Sequence, residues 1–179
     1  MNIQTIKKTH WNEIREIYKE AFPKSEQKPF FLLKQDAKKG KVTILVAEEE
    51  GKVVGFIVTI PYKNMIMVDY LAVSSKIRSR GTGSLLLQEV CRKFSTNKIL
   101  LLIEKLDDSA ENIQQRISRR KFYLKNGFES ANFYASIGKG IMEILDYNGT
   151  VTQEEYLDIQ HYALGSLFFR LAKVEVLSD

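Results

Sequence analysis

Apolar residues in this chain fall into short runs divided by charged or glycine-bearing breaks, and the spacing inside each run predicts its conformation. Ile3 to Ile6 reads as a short strand. Thr9 is placed to cap a helix from His10 to Ala21, because Ile14, Ile17, Tyr18 and Phe22 recur on one face and Pro23 stops it. After a polar loop at Lys24 to Lys28, Phe30 to Lys38 reads as a second helix carrying Phe31 and Leu32. Val42 to Ala47 and Val53 to Pro61 flank a charged turn containing Gly51, so they form an antiparallel hairpin, and Met65 to Val73 follows as a third strand. Leu86, Val90 and Phe94 then return to helical spacing, with Leu87 and Cys91 beside them. The continuous apolar run from Lys98 to Glu104 suits a strand buried on both faces and parallel to its neighbour at Met65 to Val73. Glu111 to Asn126 predicts a helix with Gly127 as its C-cap, and Ser130 to Ser136 and Ile141 to Tyr147 predict two more strands. Asn148-Gly149-Thr150 marks a boundary, beyond which Thr152 and Glu155 stand at capping-box spacing before a helix from Gln153 to about Ala163. Ser166 to Val176 fits either state: Leu167, Phe168, Phe169 and Leu171 share a helical face, whereas Val174 to Leu177 suits a strand.

Between the third strand and the next helix lies Arg78-Ser79-Arg80-Gly81-Thr82-Gly83-Ser84. Strand, glycine-bearing loop and helix in that order make an anion cradle. The glycines let several backbone N–H groups converge, the helix N-terminus adds partial positive charge, and Arg78 and Arg80 add forked cationic donors suited to phosphate. A Walker loop needs Gly-Lys-Ser/Thr after a four-residue gap, and no such run exists. The dinucleotide fingerprint needs a third glycine where Leu86 stands. What remains, Arg-x-x-Gly-x-Gly, is compatible on its own with a phosphate ligand or with a plain tight turn entering a helix.

Composition narrows the field. A chain of 179 residues, 44% hydrophobic and 27% charged, has ordinary globular content and can bury a core without disulfides. The single cysteine, Cys91, reads as a small core residue rather than a nucleophile. No apolar run approaches the roughly 18 to 20 residues that span a membrane, and the first residues lack a signal-peptide layout; a cytoplasmic location is expected. The net charge of +5 and pI near 9.2 favour anionic partners. The basic cluster Arg116, Arg119, Arg120, Lys121 and Lys125 falls at several angles around its helix, which argues against nucleic acid as the main ligand. His10 and His161 lack Cys or acidic partners at ligand spacing, so no metal is expected.

Some forty residues after the glycine loop comes Arg119-Arg120-Lys121-Phe122-Tyr123-Leu124-Lys125-Asn126-Gly127-Phe128. The two segments, in this order and at this distance, resemble the GNAT superfamily of acetyl-CoA-dependent N-acetyltransferases. The likeness spans roughly residues 1 to 147 and is strongest from Asp69 to Phe128. It implies an α/β (α+β) fold with a mixed, mostly antiparallel central sheet, a parallel splayed strand pair and flanking helices. It also implies an N-acetyltransferase domain over residues 1–147, with residues 148–179 an extension packed on the domain or at a homodimer interface.

The resemblance further implies transfer of an acetyl group from acetyl-CoA, as co-substrate and without metal, to a primary amine of a small molecule, peptide or protein. The amine attacks directly in a ternary complex. Arg78, Ser79, Arg80, Gly81, Thr82, Gly83 and Ser84 are then expected to hold the CoA pyrophosphate, and the backbone of Leu71, Ala72 and Val73 to pair with the pantetheine arm. Tyr123 matches the tyrosine that protonates the departing thiolate, and Asp69 and Glu104 are the two carboxylates placed to take the amine proton. Phe22, Phe30, Phe31, Tyr62 and Tyr134 are expected to shape the acceptor pocket. Arg116 stands where many members carry an asparagine that contacts the cofactor, and Arg119 where a small residue is usual, so the outer part of that helix departs from the pattern. The alternative is a non-catalytic module of the same fold that binds CoA or an acyl-CoA.

Overall fold

The computed structural model describes residues 1–24, 27–77, 81–138 and 140–177. The chain divides into two units, Met1–Pro61 with Val68–Phe94, and Tyr62–Met67 with Ser95–Asp179.

In the first unit, β1 (Asn2–Thr5), β2 (Thr43–Glu49), β3 (Lys52–Tyr62) and β4 (Met65–Val73) follow one another in the order of the sequence. β1 pairs antiparallel with β2 from Asn2↔Glu48 to Thr5↔Leu45. β2 pairs antiparallel with β3 from Thr43↔Thr59, and a bulge at Ala47/Glu48 shifts the register near the turn. Helix α1 (Trp11–Ala21) buries Ile14, Ile17 and Tyr18, the i, i+3, i+4 stripe that the spacing predicted. Thr9 is not its cap. Lys8–His10 form a 3-10 turn in which the Lys7 N–H donates to His10 Nδ1 at 3.2 Å. His10 already has helical angles (φ −78°, ψ −14°), so α1 continues from a turn instead of starting at an extended residue.

Helix α2 (Phe30–Lys38) forms where expected but turns Leu33 inward, leaving Phe31 68% exposed. In so short a helix one row of side chains faces the core, and the row through Phe30, Leu33 and Ala37 takes that place. Helix α3 (Thr82–Lys93) buries Leu86, Leu87 and Val90, and Phe94 serves as its C-cap residue.

The second unit holds β5 (Lys98–Glu104), α4 (Ile113–Lys125), β6 (Glu129–Ile137), β7 (Gly140–Tyr147), α5 (Gln153–Leu171) and β8 (Glu175–Leu177). Its strands run in the order β5-β7-β6-β8, each antiparallel to the next. The first residues of β4, Met65–Met67, also belong here, and just ahead of them Asn64 O accepts from the Lys98 N–H at 3.1 Å. Among the described residues, β4 and β5 form the one parallel pair in a mixed, mostly antiparallel sheet of eight strands flanked by helices, the architecture that the resemblance implied.

Two elements of the second unit differ from expectation. α4 starts at Ile113, because the residues after Asp107 close successive turns (Ala110 N–H to Asp107 O, 3.0 Å; Ile113 N–H to Ala110 O, 3.1 Å). α5 opens with the anticipated capping box, Thr152 Oγ1 accepting from the Glu155 N–H and Glu155 Oε2 from the Thr152 N–H. It then runs on to Leu171 across a break at Gly165 (φ 75°, ψ 157°). Ser166 to Val176, readable both ways, is therefore both: helix to Leu171, then strand from Glu175. Val151, Tyr156 and Ile159 are fully buried, and Tyr156 packs edge-on against Phe133 of β6.

Candidate functional site

In the first unit, the backbone of Gly81 (φ 82°, ψ 0°) lies in the left-handed region that glycine enters without strain and turns the chain into α3. Gly81 O accepts the first helical bond, from the Leu85 N–H at 3.0 Å, so the N–H groups of Thr82, Gly83 and Ser84 have no partner within the helix. Thr82 is 1% exposed, and its hydroxyl is buried with no hydrogen-bond partner among the described residues. Three convergent N–H groups, a helix N-terminus and an orphaned hydroxyl fit an anionic group such as a phosphate. Arg78, Ser79 and Arg80, expected to complete this cradle, lie outside the described residues.

Before the loop, β4 alternates sharply. Val68, Tyr70 and Ala72 are buried, whereas Asp69, Leu71 and Val73 share the half-open face. Asp69 Oδ2 receives Lys28 Nζ at 2.7 Å. The backbone of Lys28 is held as well: its N–H donates to the Tyr18 hydroxyl at 2.8 Å, which donates back to Lys28 O at 3.3 Å. The ammonium lies 5.6 Å from the centre of the Tyr70 ring. Tyr18, Tyr70 and Phe22 touch ring to ring, and Phe30 packs on Tyr18. Burial pushes both phenols above their ordinary range, and for Tyr70 the Asp69 charge adds to it. Two of the expected acceptor-pocket aromatics, Phe22 and Phe30, thus belong to this cluster. Phe31 stands in solvent.

In the second unit, Glu104 ends β5 and is clamped. Arg119 donates to Oε2 at 2.8 Å, Arg116 pairs with Oε1 at 3.2 Å, and Asn112 Nδ2 reaches both oxygens at 3.3 Å. A carboxylate offers about four lone-pair directions, and four contacts use them. Arg116 also donates to Asn112 Oδ1 and Lys105 O, both at 2.7 Å. Arg120 grips the buried carboxylate of Glu143 on β7 through two bonds of 2.9 and 3.0 Å. Arg116, Arg119 and Arg120 therefore share one face of α4, while Lys121 and Lys125, the other members of the basic cluster, are exposed at other angles of the helix. The three arginines neutralise carboxylates of their own chain.

A cavity of about 440 Å³ opens beside Glu104, lined also by Lys105, Asp107, Arg116 and Met142. Tyr134 receives the Lys105 ammonium 4.2 Å from its ring centre, and Tyr62 stacks on Tyr162 at 4.6 Å. Both expected pocket aromatics thus have neighbours within the second unit.

Tyr123 lies on α4 one turn beyond Arg119 and Arg120, in edge contact with Phe122 and Phe128. Burial pushes its hydroxyl up to about 12, with the Arg119 charge pulling part of the way back. The end of the helix explains the motif around it. Gly127 (φ 87°) lets its own N–H bond Leu124 O at 3.0 Å and the Phe128 N–H bond Tyr123 O at 3.2 Å, the paired bonds of a Schellman cap. The Phe128 ring then closes on the Tyr123 ring, 5.9 Å between centres.

A profile of the acetyltransferase (GNAT) domain family matches residues 40–130, from the start of the β2–β3 hairpin through the glycine loop to the cap of α4. The chain belongs to the GNAT acetyltransferase family. Solved structures share its fold. A protein assigned to the GNAT family from Bacteroides thetaiotaomicron is 19% identical, with a TM-score of 0.73 over 94% of this chain and 98% of that one. A ribosomal-protein-alanine N-acetyltransferase from Brucella melitensis is 18% identical, with a TM-score of 0.65 over 82% and 99%. An aminoglycoside 6′-N-acetyltransferase in complex with coenzyme A is 14% identical, with a TM-score of 0.67 over 82% and 96%. No curated protein matches the chain in sequence.

Within this GNAT chain the sequence had marked Asp69, Glu104 and Tyr123, but not Lys28 beside Asp69 or Asn112 beside Glu104. Lys28 stands far from Asp69 in sequence, and nothing in its local spacing singles it out. Asn112 precedes α4 in what reads as a plain polar stretch. His10 likewise has a partner that spacing could not show, Glu48 at 3.4 Å from Nε2. Among the described residues no group of three or more metal-binding side chains occurs, and no helix is long and apolar enough to cross a membrane.

Proposed function

We propose that this GNAT chain transfers an acetyl group from acetyl-CoA to a primary amine by direct attack in a ternary complex. The observation that carries the reading is the opening of α3: Gly81 in a left-handed turn, the amides of Thr82, Gly83 and Ser84 with no partner within the helix, and the Thr82 hydroxyl with none among the described residues. The CoA pyrophosphate is the phosphate group that a family member would bring there, and Leu71, Ala72 and Val73 on the same chain segment would meet the pantetheine arm. Two fold neighbours are named for acetylating nitrogen, one on an aminoglycoside and one on a ribosomal-protein alanine.

The amine must lose a proton before it can attack, since alkyl ammonium groups hold theirs to about pH 10. Of the two candidate carboxylates, Asp69 is assigned as the base. Its partner among the described residues is a flexible lysine, whereas Glu104 is saturated by two guanidiniums and an amide. Glu104 serves to fix α4. Tyr123, whose hydroxyl stays protonated far above neutral pH, is assigned as the acid that delivers a proton to the CoA thiolate.

Thiol release from acetyl-CoA across a panel of small primary amines and peptides tests the reading. Turnover is expected with at least one primary amine, and Tyr123→Phe should lower kcat by about 100-fold while leaving the KM for acetyl-CoA unchanged. Tight CoA binding without turnover on any amine would instead identify a non-catalytic CoA-binding module.

A further inference from the structure

The first unit already holds an amine where the proposed mechanism needs one. Lys28 Nζ rests 2.7 Å from the carboxylate assigned as base and faces the Tyr70 ring, so ion pair and aromatic face together make a seat for an alkylammonium. The seat is built, not incidental. The Lys28 backbone is fixed at both its N–H and its C=O by the Tyr18 hydroxyl, and Asp69 is largely buried, its side chain 16% exposed. The lysine side chain itself keeps 36% of its exposure, enough for a reagent to reach it. Asp69 and Leu71 lie on the same half-open face of β4, one two-residue step or roughly 7 Å apart. The amine is therefore close to the backbone to which the pantetheine arm is assigned.

Given acetyl transfer as proposed above, we infer that Lys28 is an internal acceptor, and that the enzyme acetylates its own Lys28 from acetyl-CoA. The step balances without any further reagent. The Lys28 ammonium passes a proton to Asp69, the freed lone pair attacks the thioester carbonyl, and a tetrahedral intermediate collapses with cleavage of the C–S bond. CoA departs as the thiol after taking up a proton, and the attacking nitrogen sheds its second proton as the amide forms. One proton reaches solvent in total. The product amide carries no charge, so the ion pair with Asp69 is lost and the carboxylate is exposed to outside amines. Self-acetylation would thereby convert a site closed by its own lysine into one open to an external acceptor.

The experiment incubates the full-length protein with acetyl-CoA and maps acetylated peptides by mass spectrometry over time. Acetylation concentrated at Lys28 is expected, with a rate constant that does not change with protein concentration and is suppressed by excess free CoA. Lys28→Arg, which keeps the ion pair, removes the label. Asp69→Asn slows it by about 100-fold, the scale of general-base assistance. Acetyl groups spread over surface lysines with no excess at Lys28, or labelling at Lys28 indifferent to free CoA, would overturn the inference. A rate that rises with protein concentration would place the reaction between chains and overturn it equally. Thiol release with external amines, measured in parallel, separates the two readings: turnover there without Lys28 labelling sinks self-acetylation alone, and no turnover anywhere sinks both.

Discussion

Replacing Arg120 with methionine tests what holds α4 in place. The helix has no fully buried residue, so apolar packing alone does not fix it, and Arg116, Arg119 and Arg120 tie it to carboxylates on β5 and β7. Arg120 makes two charge-assisted bonds to Glu143, whose side chain is 5% exposed, while its own side chain keeps 31% exposure. Removing one member of a fully buried pair costs about 3–5 kcal/mol, because the other charge is left without compensation. The open side of Arg120 lets water reach part of the space it vacates, which brings the expected loss down to about 2–3 kcal/mol. Glu143→Leu should cost less, about 1 kcal/mol, since the stranded guanidinium can turn to solvent. The double variant Arg120→Met/Glu143→Leu should then lose only about half of what the two single losses add up to, giving a coupling of about 1.5–2 kcal/mol. Urea unfolding followed by circular dichroism reads all three, provided the m-value stays constant. If Arg120→Met costs under about 0.5 kcal/mol, the ion pair does not anchor the helix and the argument fails.

Gly127→Ala should destabilise by about 2 kcal/mol, because alanine pays about 1–2 kcal/mol at a φ of 87° and its Cβ would sit 3.2 Å from the Tyr147 ring; calorimetric unfolding checks it, and an unchanged Tm would remove the cap from the account. Alkaline titration should separate the tyrosines. Tyr123 is raised to about 12, and Tyr18, Tyr70 and Tyr156 are also raised by burial. A raised folded pKa contributes stability that is whole below the unfolded value near 10 and is lost as pH climbs through the folded value. Stability should therefore fall from about pH 10 upward, with these phenols ionising together with the loss of the dichroism signal; ionisation of every tyrosine near pH 10 in a still folded chain would contradict this. Cys91, pushed up to about 11 by burial, should react slowly with a thiol reagent at neutral pH in the folded protein and rapidly once urea unfolds it.

Local pattern decides some features of this chain and not others. The strands were legible because apolar residues in β2 to β5 are frequent enough to leave one reading, and α1 because Ile14, Ile17 and Tyr18 permit a single face. The Gly127 cap could be read from one residue, since its conformation is close to obligatory there. Thr9 misled because a threonine before an apolar stripe looks the same whether or not a 3-10 turn precedes the helix. Phe31 misled because a short helix holding three adjacent large apolar residues leaves open which of them faces inward. The clamps on Asp69 and Glu104 were invisible for a different reason: a carboxylate's partner is set by chain crossings, and Lys28 lies on a loop whose spacing announces nothing. The departures at Arg116 and Arg119 did carry a signal, and its meaning, a pair of guanidiniums committed to Glu104, required the fold.

The sheet order has a consequence for the timing of synthesis. β1 to β4 lie side by side in the order in which a ribosome makes them, so each new strand can dock on the one before, and α3 follows directly. β5 meets β4 on one side, already made, but its other side must wait. Its antiparallel partner β7 emerges only after α4 and β6, and β6 in turn keeps an open edge until β8 is made. A nascent chain halted after α3 would present the β4 edge that β5 later covers, and one halted between β6 and β8 would present the β6 edge, to any other chain nearby. Stalling or truncation at either point should therefore send the protein into aggregates more readily than release of the full-length chain.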